Sequence, residues 1–286
     1  MRSSKWVVAP AIVLLTAMLA GTLLASRSAR SAERPLAAEA ARPQSPAAAP
    51  TASLEMPPTL GPGARLVFMG DSVGGNVARA LVPEAARRGA VVTPHTVPGC
   101  SNIAGLPVTA DDQIIPWGPN CLRHLEQSWR AMVAATPADA VLWLSSFDAS
   151  RRLIEGVIAD PATPEGRVRI AGLILNTANI VAPVGSARRI VFLLPAPQSP
   201  SYFKGDADPG SVASVESYRA ILHLVVGSDP TRFSMLSLDA FLCPAGPPCP
   251  VEVAPGVAPR AVDGRHFVPA GAAWLAPQIL DSLGVD

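Results

Sequence analysis

The chain contains the segment Arg65-Leu66-Val67-Phe68-Met69-Gly70-Asp71-Ser72-Val73, in which an apolar run stops at a Gly-Asp-Ser turn. The apolar residues are typical of a buried strand, and a helical pattern follows over Val73–Arg88. The segment therefore predicts a strand, a tight turn and a helix. It places the hydroxyl of Ser72 at the carboxyl end of the strand and near the positive end of the helix, where a serine can act as a nucleophile.

The same alternation of strand and helix continues to the carboxyl end of the chain. Several predicted strands are continuous runs of Val, Leu and Ile, as expected for strands covered on both faces. The predicted strands are Arg65–Met69, Val91–Thr96, Ala140–Leu144, Arg189–Leu194 and Phe233–Leu238. The predicted helices are Val73–Arg88, Leu122–Ala135, Pro164–Val181, Val212–Val226 and Pro269–Leu283. This order predicts a three-layer α/β sandwich around a mostly parallel sheet of about five strands.

A second motif, Asp263-Gly264-Arg265-His266, lies in a predicted loop before the final helix. A nucleophilic serine needs a base that accepts its proton, and a histidine base needs an acid that orients it. In a parallel sheet, loops from distant parts of the sequence meet at the carboxyl ends of the strands. Ser72, Asp263 and His266 are therefore the candidate catalytic residues of a serine esterase or acyl-transfer enzyme.

Other polar and aromatic residues have simpler explanations. The remaining histidines are expected to be surface or core residues; they are His95, His124 and His223. Asp148 follows a predicted strand, and it either lines the pocket or caps the next segment. Trp117 and Trp143 either fill the core, which is the more usual role of a tryptophan, or stack on a sugar.

Composition excludes several classes of function. The 286 residues are 49% hydrophobic, so a sizeable core can form, and 23 Lys and Arg residues nearly balance 22 Asp and Glu residues. The net charge of +1 gives no electrostatic footprint for nucleic acid. The sequence has no Cys-x-x-Cys pair, nearby histidine pair, glycine-rich phosphate cradle or dinucleotide fingerprint. It therefore predicts neither a metal site nor a cofactor.

The amino end has the pattern of a membrane helix. Arg2 and Lys5 precede the uncharged stretch Trp6–Ala25, which at about 20 residues is long enough to cross a bilayer. A cleaved signal peptide is the alternative, although Ser26–Ala32 lacks a clean Ala-x-Ala site. An uncleaved segment gives a single-pass protein of the cell membrane, and a cleaved one gives a secreted protein. In both cases the folded part is extracytoplasmic.

Three regions follow from this pattern. Residues 1–25 are the predicted membrane anchor or signal segment. Residues 26–63 are rich in Ala, Pro, Ser and Arg, and they predict a disordered tether. Residues 64–286 form the predicted catalytic domain.

The four cysteines suit an oxidising compartment. Cys243 and Cys249 bracket a tight proline-rich loop, which favours a local disulfide between them. Cys100 and Cys121 then form the other predicted pair. Four free buried thiols are the alternative.

These motifs resemble those of the SGNH, or GDSL-type, hydrolase superfamily. The chain is most similar to the extracytoplasmic SGNH domains that accompany membrane acyltransferases of bacterial cell envelopes, and the resemblance extends from about Arg65 to the carboxyl end. The first block is Gly70-Asp71-Ser72-Val73, the second is Pro98-Gly99-Cys100-Ser101, and the last begins at Asp263 and continues through His266.

The resemblance implies a flavodoxin-like sheet and activity on esters, often acetyl groups on carbohydrate. It also implies roles for three residues: Ser72 as nucleophile, His266 as general base and Asp263 as the group that orients the base. The implied partners are an acylated carbohydrate or small ester as substrate and a membrane acyltransferase, with membrane attachment through the predicted N-terminal helix.

The third block departs from the family pattern. The usual Gly-x-Asn-Asp is replaced by Ser145-Ser146-Phe147-Asp148, so the asparagine that would donate to the oxyanion is absent. Loss of one such donor typically lowers the rate about 100- to 1,000-fold. The backbone N–H groups of Ser72 and Gly99 are the expected donors, and Asn102 or Ser146 is a candidate for a side-chain donor.

Two functions remain after this comparison. The first is an enzyme that hydrolyses or transfers O-acyl groups through an acyl-serine, and the sequence does not decide whether water or a hydroxyl accepts the acyl group. The second is a catalytically weak SGNH module that binds glycan or docks a membrane acyltransferase. The absent asparagine slightly favours the second function, whereas retention of Ser72, Asp263 and His266 favours the first.

Overall fold

A computed structural model of the protein describes residues 59–135, 137–198 and 210–286. The predicted membrane segment and the predicted tether as far as residue 58 lie outside these ranges, so the membrane helix and the domain boundaries stay predictions. Within the described ranges, no helix combines the length and the apolar character needed to cross a membrane.

Strands and helices alternate along the described chain. In chain order the strands are β1 (Arg65–Gly70), β2 (Val91–Thr96), β3 (Leu106–Pro107), β4 (Ala140–Leu144), β5 (Arg152–Ile154), β6 (Val157–Ala159), β7 (Arg189–Leu194) and β8 (Phe233–Ser237). The α-helices are α1 (Ser72–Arg87), α2 (Gly118–Ala135), α3 (Pro164–Val181), α4 (Val212–Ser228), α5 (Asp239–Leu242) and α6 (Pro269–Ser282), and a 3-10 helix spans Phe147–Ala149.

The main sheet has five parallel strands in the order β2-β1-β4-β7-β8. Leu66 of β1 pairs with Val92 of β2 on one side and with Ala140 of β4 on the other. Because all five strands point the same way, their carboxyl ends lie at one edge of the sheet. The turn after β1, which carries Ser72, is therefore flanked by the loops after β2 and β4.

Helices cover both faces of this sheet. Leu66 and Phe68 pack in the same core cluster as residues of α1 and α6. Val67 and Met69 belong to the opposite cluster, with residues of α3 and α4. Alternate residues of β1 thus point to opposite faces, and both faces are apolar. The three-layer α/β arrangement and the parallel sheet predicted from the sequence are confirmed.

The predicted elements agree with the structure in type and closely in position, with two kinds of difference. Helix α2 begins at Gly118, four residues before the predicted start at Leu122. A small antiparallel sheet of β3, β5 and β6, the short helix α5 and the 3-10 helix are additions, because elements of two to four residues leave no period in the sequence.

Two disulfides join loops to neighbouring elements. Cys100, in the loop after β2, is bonded to Cys121 of α2 with a Cα–Cα distance of 5.3 Å. Cys243 and Cys249 are bonded across the loop after α5, with a Cα–Cα distance of 4.5 Å. Both predicted pairings are confirmed, and no cysteine is free.

Candidate active site

Asp71 forms the start of α1 and so positions Ser72. One carboxylate oxygen, Oδ1, accepts hydrogen bonds from the backbone N–H groups of Val73 at 2.9 Å and Gly74 at 3.2 Å. This is the hydrogen-bond pattern of a helix N-cap, which satisfies N–H groups that lack a partner within the helix. Ser72 is the first residue of the helix, so its side chain lies at the carboxyl edge of the sheet.

The turn passes very close to the end of β4. A Cβ atom on Gly70 would lie 2.3 Å from the carbonyl oxygen of Leu144, and one on Gly74 would lie 2.6 Å from the same atom. Both positions therefore require glycine because of the close approach. This contact fixes the nucleophile turn against the loop after β4.

Asp71 also joins those two loops by hydrogen bonds. Its second oxygen, Oδ2, accepts the backbone N–H and the hydroxyl of Ser146 at 2.7 and 2.8 Å, and the N–H of Phe147 at 3.3 Å. The Asp71 side chain is completely buried. The aspartate of the Gly-Asp-Ser motif thus holds the third-block loop beside the nucleophile.

A chain of hydrogen bonds connects Ser72 with the distant Asp263-x-x-His266 motif. The distance from Ser72 Oγ to His266 Nε2 is 2.8 Å, and that from His266 Nδ1 to Asp263 Oδ2 is 2.5 Å. The other oxygen of Asp263 accepts the backbone N–H groups of Arg265 and His266, each at 3.0 Å. With a proton on Nδ1, His266 presents Nε2 as an acceptor to the serine hydroxyl, which is the arrangement that activates a serine.

The hydrogen bonds around Asp263 keep its carboxylate ionised. Partial burial raises the pKa of Asp263, but hydrogen bonds from the His266 side chain and from the N–H groups of Arg265 and His266 outweigh it. Together they lower the pKa to about 2. Asp263 therefore carries its negative charge across the whole pH range in which a histidine titrates.

We expect Asp263→Asn to reduce stability in a pH-dependent way. Because the pKa of Asp263 in the folded protein is below the usual value of about 4, the carboxylate stabilises the fold above that pH, and the contribution is lost as the pH falls through about 2. Urea unfolding should show the largest difference from wild type near neutral pH, and the two curves should converge towards pH 2. The effect is modest because the side chain is 44% exposed.

Ser72→Ala is the control for this measurement, since it alters the same hydrogen-bonded chain without removing an acid. Its difference from wild type should stay constant between about pH 5 and pH 2, a range that contains the usual pKa of aspartate. A constant difference for Asp263→Asn over that range would contradict the assignment.

Arg260 holds the loop that carries the histidine. Its Nη1 donates to the carbonyl of Arg265 at 2.7 Å, and its Nη2 donates to the carbonyl of Ala196, beyond the end of β7, at 2.9 Å. The guanidinium also lies 4.9 Å from the centre of the Phe267 ring. Burial lowers the pKa of Arg260 to about 10, against the opposing charge of Asp263. Sequence reasoning missed this half-buried residue, because its partner Ala196 lies 64 positions away in the sequence.

The predicted oxyanion side of the site is built on the loop after β2. Val97 N–H donates to the carbonyl of Gly70 at 2.9 Å, which holds this loop beside the nucleophile turn. Gly99 has a φ of +74°, a conformation that favours glycine. The carbonyl of Gly99 accepts the indole N–H of Trp117 at 2.8 Å. The predicted donors, the N–H groups of Ser72 and Gly99, thus belong to adjacent loops.

Neither candidate side-chain donor, Ser146 or Asn102, is free to donate to an oxyanion. The N–H and the hydroxyl of Ser146 are both used by Asp71. The amide of Asn102 is completely buried, and neither its nitrogen nor its oxygen has a hydrogen-bond partner in the described part of the chain. An amide without exposed surface has no open path to a ligand. Neither residue is therefore available as a third donor to the oxyanion.

Asp148 joins two loops from a buried position, and its hydrogen bonds cap neither the 3-10 helix nor the segment that follows it. It is fully buried, and its two oxygens accept the backbone N–H of Asn102 and the indole N–H of Trp143, each at 2.7 Å. Burial raises the pKa of Asp148, although the nearby Arg152 and these hydrogen bonds act in the opposite direction. Asp148 thus connects the loop after β2 with the loop after β4.

Arg152 completes this buried network. The side chain is fully buried, with Nη2 donating to the carbonyl of Phe147 at 2.5 Å and Nη1 to that of Gly105 at 3.2 Å. Burial lowers its pKa to about 10, while the charge of Asp148 favours the protonated form. Arg152 is therefore positively charged at neutral pH. Sequence reasoning gave no signal for this residue.

The two tryptophans singled out in the sequence have different positions. Trp143 lies in the core beneath the site and is fully buried, whereas Trp117 is 46% exposed. His124 and His223 are exposed on α2 and α4, and His95 is half-buried on β2. Within the described ranges, no cluster of three or more His, Cys, Asp or Glu side chains could hold a metal ion.

Comparison with known families agrees with this geometry. Residues 41–281 match the family described as "SGNH domain (fused to AT3 domains)". The chain belongs to this SGNH family. Membership makes it an ester hydrolase or an acyltransferase. No curated protein matches the chain.

Solved structures show the same fold at low sequence identity. The periplasmic domain of a lipopolysaccharide acetyltransferase from Salmonella ser. Paratyphi A is 14% identical, with 78% of this SGNH chain and 85% of that chain covered and a TM-score of 0.51. A protein assigned as a GDSL-like lipase from Parabacteroides merdae ATCC 43184 is 13% identical, with 80% and 100% covered and a TM-score of 0.50. At such identities the likeness establishes the fold alone.

Proposed function

We propose that this SGNH protein is an extracytoplasmic serine enzyme that acts on O-acyl, chiefly O-acetyl, esters of cell-envelope carbohydrate through an acyl-Ser72 intermediate. The observation that carries the proposal is the hydrogen-bonded chain from Ser72 Oγ through the His266 ring to the Asp263 carboxylate, with distances of 2.8 and 2.5 Å. Both distances are within or close to the range of about 2.6–3.2 Å that proton transfer requires.

The first half of the reaction forms the acyl-enzyme. His266 Nε2 accepts the proton of Ser72 as Oγ attacks the ester carbonyl carbon. The resulting oxyanion is stabilised by the N–H groups of Ser72 and Gly99. The bond between the carbonyl carbon and the sugar oxygen then breaks, and His266 returns the proton to that oxygen. The Asp263 carboxylate stabilises the imidazolium that exists between these two proton transfers.

The second half removes the acyl group. His266 accepts a proton from water or from a sugar hydroxyl, whose oxygen attacks the acyl carbon and releases Ser72 Oγ with its proton restored. Water as acceptor gives hydrolysis, and a hydroxyl gives acyl transfer. The proposal includes both outcomes because exclusion of water and binding of an acceptor decide between them.

The family description supports the choice of substrate and partner. Members are described as fused to AT3 domains, and one structural neighbour is the periplasmic domain of a lipopolysaccharide acetyltransferase. By analogy, the proposed substrate is an acetylated envelope glycan, and the proposed partner is a membrane acyltransferase. Hydrolysis of 4-nitrophenyl acetate by the full-length chain, with loss of this activity in Ser72→Ala, tests the enzymatic part of the proposal.

The proposed location gives a separate prediction. Positive charge at Arg2 and Lys5 precedes the apolar stretch, and the cysteines follow it, so the domain should be exported. Alkaline phosphatase fused after Asp286 should be active in intact cells, since that reporter folds only outside the cytoplasm. The same fusion without residues 1–25 is the control and should be inactive. An inactive full-length fusion at normal expression would contradict an extracytoplasmic location.

A glycan-binding or docking module is the second candidate. The observation that favours it is Phe147 at the position of the family's oxyanion asparagine. Such a module would bind an acetylated glycan without hydrolysing it, and Ser72→Ala would then leave glycan binding unchanged.

A further inference from the structure

We infer that Trp117 is the platform on which a sugar ring of the substrate stacks beside Ser72. This inference rests on the proposed function and adds a residue that determines which esters the site accepts. Three features of Trp117 support it: the ring is exposed, it is held by hydrogen bonds, and it contacts the loop after β2.

Trp117 is the most exposed tryptophan of the described residues, among which Trp274 is half-buried. Its exposed fraction is 46%, whereas Trp129 and Trp143 are 3% and 0% exposed. Exposure leaves a large apolar ring in water, which forgoes the free energy gained by burial. Exposed apolar surface next to a candidate active site is typical of a ligand contact.

The ring is also held in place. The indole N–H donates to the carbonyl of Gly99 at 2.8 Å, and the backbone carbonyl of Trp117 accepts N–H groups of Asn120 and Cys121 at 3.0 and 3.2 Å. The Cys100–Cys121 disulfide connects the same two segments covalently. A ring fixed by these contacts loses little conformational freedom when a ligand stacks on it, which favours binding.

Two contacts link this ring, through the loop after β2, to the turn that carries the nucleophile. The loop after β2 carries Gly99, and this loop is bonded to the nucleophile turn through Val97 N–H and Gly70 O at 2.9 Å. A Cβ on Gly99 would lie 3.4 Å from the indole nitrogen of Trp117. Trp117 thus contacts the residue whose N–H is the predicted oxyanion donor.

Ser72 is flanked on its other side by the loop after β4. There the Arg265 guanidinium lies 5.9 Å from the centre of the Phe147 ring. A substrate whose ester reaches Ser72 therefore extends over one of two different surfaces. One is the apolar face of Trp117, and the other is the cationic and aromatic pair of Arg265 and Phe147.

The chemistry of the exposed ring favours a sugar as its ligand. Since the indole N–H is used by Gly99, the surface that remains is a flat apolar face. The C–H groups on one face of a pyranose ring match such a surface, and the ring's hydroxyl and ester oxygens stay in water at its edge. A long acyl chain would instead need an enclosed apolar groove, which a ring with 46% exposure does not provide.

A comparison of two aromatic-free acetyl esters tests the inference. Glucose pentaacetate has a pyranose ring and triacetin has none. The kcat/KM for glucose pentaacetate divided by that for triacetin therefore isolates the contribution of the ring. In the full-length chain in detergent, Trp117→Ala should lower this ratio about tenfold, in line with aromatic stacking elsewhere. Trp117→Phe keeps a ring but loses the bond to Gly99, and the ratio should stay within about threefold of wild type. Val184→Ala, at the opposite edge of the sheet, is the control and should leave both values unchanged.

The outcomes separate this inference from the proposed function. An equal fall in both kcat/KM values in Trp117→Ala would overturn the platform, because Trp117 would then act only by holding the Gly99 loop. Hydrolysis at the wild-type rate in Ser72→Ala would instead overturn the proposed function.

Binding gives a readout that does not depend on turnover. Glucose pentaacetate should cause a saturable change in the tryptophan fluorescence of Ser72→Ala, and that change should vanish in Ser72→Ala/Trp117→Phe. A change that persists in the double variant, or no change in Ser72→Ala, would overturn the platform.

Discussion

Replacement of Ser72 by alanine should lower kcat/KM for 4-nitrophenyl acetate by roughly 10⁴-fold or more, since removal of the serine from a Ser-His-Asp site typically has an effect of this size. The variant lacks the oxygen that forms the acyl bond, while His266 and Asp263 keep their positions in the loop before α6. Residual activity would come from oxyanion donors and from water activated by the histidine.

Covalent labelling measures the same residue without turnover. A fluorophosphonate probe should modify the wild-type chain at Ser72 and leave Ser72→Ala unlabelled. Ser186→Ala is a matched control, since Ser186 is exposed in the loop before β7 at the opposite edge of the sheet, and this variant should be labelled like wild type. Equal labelling of Ser72→Ala would exclude Ser72 as the nucleophile.

The second large effect concerns stability. Arg152→Met should lower the free energy of unfolding by about 3–5 kcal/mol, as found when one member of a buried charge pair is removed. Asp148 would keep its buried carboxyl without the opposing charge of Arg152. The carbonyls of Phe147 and Gly105 would also lose their donors. For a domain of this size the melting temperature should fall by roughly 10 °C or more.

Arg151→Met is the matched control for this change. Arg151 is adjacent in sequence, but its side chain is 27% exposed and pairs with Asp112 and Asp160 near the surface. Its loss should reduce the free energy of unfolding by about 1 kcal/mol or less. Equal melting temperatures for the two variants, measured by circular dichroism, would contradict a special role for the buried pair.

Asp148→Asn provides a test of coupling. If Asp148 and Arg152 stabilise the fold as a pair, the double variant should be more stable than the sum of the two single changes predicts. Strict additivity would mean that Arg152 acts only through its hydrogen bonds to the backbone carbonyls.

The sheet could be predicted because its signal is local. Strands β4 and β7 consist almost entirely of apolar residues, and their ends agree with the predicted ends. The convergence of Ser72 and His266 followed from topology, since loops at the carboxyl ends of parallel strands meet. The distances between the two side chains agree with that expectation, whereas the catalytic role of Ser72 stays a prediction until the variant is measured.

The supporting contacts could not be predicted because they depend on distant partners. Nothing in the sequence around Arg152 or Arg260 distinguishes these residues from the exposed arginines of the chain. Ser146 was a candidate oxyanion donor by position alone, and its engagement with Asp71 depends on a contact between residues 75 positions apart. Asn102 was likewise a candidate by position, and its burial depends on the packing of Asp148 against the loop after β2.

The bond between Asp71 and the backbone of the third block has an evolutionary consequence. The loop after β4 is held through the N–H groups of Ser146 and Phe147, which every amino acid except proline supplies. These backbone hydrogen bonds therefore require no particular side chain at position 147. Phenylalanine in place of the family's asparagine removes a side-chain donor but keeps the backbone N–H that bonds to Asp71. Substitution at this position can therefore change the reactivity of the site while the loop keeps its backbone hydrogen bonds to Asp71.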